Sequence, residues 1–253
     1  MRRIKFFTSF DRIEMQLKYV TLNPFSFRRF LSWIYRYPDV KEILLDTGVD
    51  TLFNHRGLKD YPSWYLSEYL KCVYYLDRII ARKFNVEVFA VIPDIPADYP
   101  GRKHLYPWNV KRTIEYIQYF LEKVVHRYQN ITFIPVVQGA KDSISSVVNT
   151  YERYFDLYKK FQLVAVGPTC ITRKYKKLAK LILTFDRVTN HEYHVFGPGL
   201  ATIRIVHDKV KNMRSFDSTA YVKRYTRYKY REYNGLKDAL KEFMLKLPPN
   251  IEY

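Results

Sequence analysis

Cysteine is nearly absent, with only Cys72 and Cys170 in 253 residues. Two thiols so far apart in sequence make neither a disulfide framework nor a CxxC metal pair, and they read as buried, reduced side chains. Long apolar runs are missing as well. None approaches the roughly 20 residues that cross a bilayer, so no membrane partner is expected. The N-terminal Met1-Arg-Arg-Ile-Lys-Phe-Phe7 is basic and then briefly apolar, but Asp11, Arg12 and Glu14 break the run. That argues against a signal peptide and for a cytoplasmic, intracellular chain. The phosphate-cradling loops GxGxxG and GxxxxGK(S/T) do not occur, which removes the usual nucleotide sites of open α/β sheets. No internal repeat, low-complexity linker or domain boundary interrupts the chain.

Acidic charge is scarce: 25 Asp and Glu stand against 43 Lys and Arg, a formal net charge of +18. Such an excess attracts polyanions, of which a nucleic-acid backbone is the usual one. Many of the 24 tyrosines are interleaved with cations, most densely in the basic segment 221–233. There Lys223, Arg224, Arg227, Lys229 and Arg231 alternate with rings that can stack on bases while the cations neutralise phosphates. A solubilising surface is the plain alternative.

Hydrophobic residues make up 47 %, enough for a sizeable core. Short apolar runs alternate with segments of helical periodicity. Strands are expected over 4–9, 17–22, 43–46, 86–92, 131–137, 163–166, from 193, and in the stretch ending at Asp217. Helices are expected over about 26–35, 62–83, 109–126, 143–160, 173–184, 202–210 and 235–247, with a polar loop at Asn54-His-Arg-Gly57. Pro248-Pro249 stops the last of them. Eight strands alternating with helices in a chain of this length suit a single-domain (β/α)8 TIM-like barrel spanning 1–253. An open doubly wound sheet is the competitor.

Five strand ends share one design, an apolar run followed by a polar residue beside Gly, Pro or Ser. They are Ile43-Leu-Leu-Asp46-Thr-Gly48, Val88-Phe-Ala-Val-Ile-Pro-Asp94-Ile-Pro96, Phe133-Ile-Pro-Val-Val-Gln138-Gly139, Leu163-Val-Ala-Val-Gly167-Pro168 and Arg214-Ser-Phe-Asp217-Ser. In a barrel these ends converge on one mouth. Two carboxylates facing a common pocket can divide labour, one as nucleophile and one as general acid/base. A third carboxylate suits the N–H donors of a guanine-like base, with Gln138 and the Gly167 N–H for its carbonyl oxygen. Each residue also has a duller reading. Asp46 and Asp94 can close turns, Asp217 can cap a helix, and Gln138-Gly139 can be a satisfied strand end.

The order and wording of these stretches resemble the tRNA-guanine transglycosylase family, including its relatives that insert 7-deazaguanines into DNA. Asp46-Thr-Gly48 is similar to the family's Asp-Ser-Gly-Gly motif. Asp94 with Pro96 resembles its base-recognising aspartate, and Val137-Gln-Gly139 its Val-Gln-Gly. Ala165-Val-Gly167 resembles Leu-Ala-Val-Gly, Phe196-Gly197 the later Leu-Phe-Gly, and Ser215-Phe-Asp217-Ser-Thr-Ala-Tyr221 the nucleophile segment in its archaeal form. The likeness runs from about 41 to 221. It implies Asp217 as nucleophile, Asp46 as general acid/base, and Asp94, Gln138, Gly139 and Gly167 around the base. The implied partners are a nucleic acid (DNA first, tRNA next) and a 7-deazaguanine, with no cofactor. A catalytically idle nucleic-acid-binding barrel is the alternative. Three departures stand out: Val49 replaces the motif's second glycine, Pro168 replaces an acidic residue, and the zinc-binding Cys-x-Cys-x-x-Cys…His set is missing.

Overall fold

The computed structural model describes residues 3–11, 13–55, 57–96, 105–169, 174–218, 222 and 235–253. Its centre is a nearly closed barrel of parallel strands: β1 (Ile4–Ser9), β2 (Tyr19–Leu22), β3 (Glu42–Leu45), β4 (Glu87–Val91), β5 (Ile131–Ile134), β6 (Val136–Val137), β7 (Leu163–Val166), β8 (Glu192–Val195) and β9 (Met213–Asp217). Pairing runs β5-β4-β3-β2-β1-β9-β8-β7-β6. The path begins and ends on segments separated only by Pro135, which has no N–H for a ladder. Its carbonyl still accepts from Ala165 N at 2.8 Å, and Ile134 O accepts from Ile92 N at 2.9 Å. β5 and β6 therefore act as one bent strand bridging β4 and β7, and the expected eight barrel positions are all filled.

Strands buried on both faces need apolar residues throughout, and β3 and β7 are buried at every position. Alternate residues separate into two cores. Phe7, Tyr19, Leu44, Phe89, Ile134, Val136, Leu163 and Ala165 fill the barrel. Their neighbours pack outwards against a helical layer. That layer comprises α1 (Phe27–Arg36), α2 (Ser63–Tyr75), α3 (Ala81–Phe84), α4 (Tyr106–Lys123), α5 (Ile144–Arg153), α6 (Phe155–Tyr158), α7 (Tyr175–Val188), α8 (Leu200–Val206) and α9 (Leu236–Leu245). No helix among the described residues is long and apolar enough to cross a membrane. Cys72 on α2 is a buried free thiol, whereas Cys170 lies outside the described residues.

Two local expectations are corrected, and one element is added. The polar loop expected at 54–57 begins inside a π-helical turn, Asp50–His55, drawn inwards by the buried Leu52 and Phe53. The long helix from 62 is interrupted by a π-helical stretch, Leu76–Ile80, which buries Asp77. After Pro248-Pro249 the chain returns as a short strand, β10 (Ile251–Glu252), parallel to β1 with Ile4 opposite Ile251.

Asp77 and Asp186 are structural. The first accepts the backbone N–H of Gln129 and Asn130 before β5, at 3.0 and 2.7 Å. The second accepts those of Lys211 and Asn212 before β9, at 2.9 and 2.8 Å. Each carboxylate satisfies buried donors and ties a helix to the start of a strand.

The N-terminal end of the barrel is closed by ions. Arg214 reaches Glu42 at 3.0 Å, Glu87 at 3.3 Å and Glu192 at 3.4 Å, and its guanidinium lies 4.8 Å from the Phe89 ring centre. Lys5 also pairs with Glu42. The carboxylates hold Arg214 above its ordinary pKa despite its burial.

Candidate active site

The opposite, C-terminal end receives the strand-end residues. Side chains alternate along a strand, so Leu44 in the barrel core puts Asp46 on the inward parity. Val136 does the same for Gln138, and Ala165 for Gly167. Asp217 is the last residue of β9 and stands opposite Phe7 of the inner core.

Asp46 is partly exposed and its carboxylate accepts the Thr47 N–H at 2.7 Å. Gly48 adopts φ +66°, a left-handed conformation that glycine tolerates, and its N–H also favours the carboxylate. Burial nevertheless pushes Asp46 up to about 7, and the charge of Asp217 adds to the rise. The two carboxylates thus sense each other across one mouth. Val49, where the resembling motif has a second glycine, packs against the outer core.

Asp217 keeps 21 % of its side chain exposed. Its Oδ1 accepts the Gly197 N–H at 2.9 Å and lies 3.5 Å from Nε2 of His194. No hydrogen bond reaches Oδ2 among the described residues. His194 is 1 % exposed, and its other nitrogen meets the Ser215 hydroxyl at 2.9 Å.

Asp94 and Gln138 meet directly: the Gln138 amide donates to Asp94 Oδ2. Both are buried, and Gln138 Oε1 finds no donor among the described residues. Gly167 touches the same amide. A Cβ there would stand 2.7 Å from Gln138 Nε2, so only glycine leaves room for the glutamine. The Gly167 N–H, expected to serve a base carbonyl, donates instead to Val137 O at 3.1 Å. Parallel pairing uses it up. Gly139 has a packing explanation, because a Cβ would lie 2.5 Å from Val147 on α5.

Three tyrosines four residues apart support the mouth from outside. Tyr61, Tyr65 and Tyr69 stack in sequence, with centroids 4.7 and 6.1 Å apart. Their hydroxyls bind the carbonyls of Asp94 at 3.0 Å, of Thr47, and of Val91 at 2.6 Å. Tyr65 and Tyr69 on one face of α2, with Tyr61 just before that helix, therefore fix the two segments carrying Asp46 and Asp94. Burial and the neighbouring carboxylates hold all three phenols well above their ordinary pKa, so they remain donors.

His194, Ser215 and the tyrosine ladder were not singled out from sequence. The inward parity of His194, two residues before Phe196, and the four-residue spacing of the tyrosines were the available signals. The cations Lys223, Arg224, Arg227, Lys229 and Arg231 lie outside the described residues, as does Thr219. Among the described residues no group of three or more His, Cys, Asp or Glu is disposed to hold a metal ion. No protein-family model matches this chain, and no curated protein does either.

Proposed function

We propose that the chain is a transglycosylase that replaces guanine by a 7-deazaguanine in a nucleic acid, DNA first and tRNA next. The observation that carries this reading is the pair Asp46 and Asp217. Two carboxylates share one mouth, one is pushed up to about 7, and the other is bound by a backbone N–H. Groups whose environments differ in this way suit an acid and a nucleophile. A base turned out of its stack enters the mouth. Asp217 attacks the sugar C1′, the bond from C1′ to the base nitrogen breaks, and its electron pair leaves with guanine. The proton comes from Asp46. The incoming 7-deazaguanine then attacks C1′ and displaces the Asp217 carboxylate, and Asp46 recovers the proton from the incoming base nitrogen, following the logic of a retaining glycosidase. Asp94 and Gln138 receive the polar edge of the base, where Gln138 Oε1, without a donor among the described residues, gains one.

The polymer finds support at the mouth. Lys174, Lys176 and Lys177 are exposed where α7 begins, and the first turn of that helix holds no acid. Cations there oppose the helix dipole, so an external anion relieves them. Lys177 also lines a small cleft with Pro168, the residue after Gly167.

The test is incorporation of labelled guanine or 7-deazaguanine into DNA and tRNA, with denaturing gels to trap an adduct. The parent should exchange bases, and Asp217→Asn should lose the rate by roughly 10⁴-fold or more while staying folded. A parent that exchanges on neither polymer makes the chain a binding barrel.

A further inference from the structure

We infer that His194 is a positioning residue that, with Ser215, fixes which oxygen of Asp217 attacks. The attacking role and its kinetic test rest on the transglycosylase reading; the His194–Asp217 contact and its tautomer do not. His194 is 1 % exposed, yet its Nε2 makes no hydrogen bond among the described residues and faces Asp217 Oδ1 at 3.5 Å. A buried polar atom without a partner is costly, so its presence here calls for a reason. Its surroundings hold it firmly. Phe196 lies edge-on with ring centroids 4.8 Å apart, Phe7 lies at 6.0 Å, and Ser215 occupies Nδ1.

The tautomer follows from electrostatics. If Nδ1 carried the proton, the Nε2 lone pair would face the carboxylate oxygen and repel it. With the proton on Nε2, the ring donates towards Oδ1, and the Ser215 hydroxyl donates to Nδ1. Oδ1 is then claimed from two sides, by Gly197 N–H and by His194. Oδ2 is left as the oxygen that bonds to C1′ while the electron pair of the breaking bond departs with the base. Holding one oxygen also stops the carboxylate from rotating, which keeps the attacking oxygen in line.

Glutamine places an amide N–H close to where Nε2–H stands, whereas leucine fills the volume without a donor. We expect His194→Leu to lower kcat about 100-fold with KM little changed, and His194→Gln to recover most of that loss. Ser215→Ala, which frees the tautomer, should cost about 10-fold. The second arm needs no activity: ¹⁵N NMR of the parent, with the resonance assigned by its disappearance in His194→Gln. An Nε2–H tautomer that relaxes towards a mixture in Ser215→Ala supports the inference. An Nδ1–H tautomer in the parent, or His194→Leu and His194→Gln losing rate equally, overturns it. A parent inactive on both polymers sinks the transglycosylase reading and the attacking role with it, while the spectrum still decides whether His194 donates to Asp217.

Discussion

Strand β3 carries Glu42 at one end of the barrel and Asp46 at the other, and β9 carries Arg214 and Asp217 in the same way. At the N-terminal end the charges are opposite and paired: Glu42 holds both Lys5 and Arg214. At the C-terminal end the charges are alike, and the presence of Asp217 raises Asp46. Side-chain chemistry is similar at both ends, but the partners differ. A barrel built only for stability would pair both sets. Among the described residues no Lys or Arg pairs with Asp46 or Asp217, which lie where barrels keep their active sites, whereas the paired set lies at the end that serves stability.

That contrast can be broken by substituting each end in turn. After Asp217→Asn, the largest effect is expected from Asp46→Asn, which should slow exchange by about 10²–10⁴-fold if Asp46 moves the proton. Its effect on stability should have the opposite sign. Folded Asp46 titrates near 7, far above an ordinary aspartate, so between about pH 4 and 7 the folded chain keeps a proton that the unfolded chain releases. Stability from this group therefore falls as pH rises through that window. Asp46→Asn should be more stable than the parent at pH 8, by about 1–2 kcal/mol, with the gain fading towards pH 4. Urea titrations at both pH values measure it, and a loss of stability at pH 8 would put Asp46 among the structural acids.

Arg214→Met should do the reverse. It leaves Glu42 buried with Lys5 as its main partner, and about 2–4 kcal/mol of stability should go. Exchange rates in the surviving fold should stay within a few-fold of the parent. A collapse of kcat with unchanged stability would mean that the two ends are coupled through β9.

Asp94→Asn sharpens the picture within the mouth. It removes a charge-assisted partner from a guanine-like base and disturbs the Gln138 amide, so 7-deazaguanine should bind about 1–3 kcal/mol more weakly. Calorimetry giving an unchanged affinity would confine Asp94 to holding Gln138.

Much of this was readable in one dimension. Asp46, Gln138 and Asp217 each follow a run such as Ile43-Leu-Leu, and the period-2 alternation then sets their facing, whereas Asp94 has the outward parity of Val88, Ala90 and Ile92 and reaches the mouth only because the chain leaves β4 before it. Gly167 was legible as a strand end but not as the space beside Gln138, 29 positions away. The commitment of its N–H to Val137 depends on which strand lies next to it. Pro135 hid the bend between β5 and β6, because a proline in a strand marks a break without saying whether the ladder resumes.

The chain by itself determined where strands and helices begin, since apolar period and turn residues act over a few positions. It also determined that acids would stand at strand ends. Only the tertiary structure decided that Arg214 neutralises Glu42, that His194 turns towards Asp217, and that three tyrosines hold Thr47, Val91 and Asp94. Those contacts join residues from 18 to 172 positions apart in the chain. Closure of the barrel brings them within reach, and burial then makes each charge depend on its neighbour.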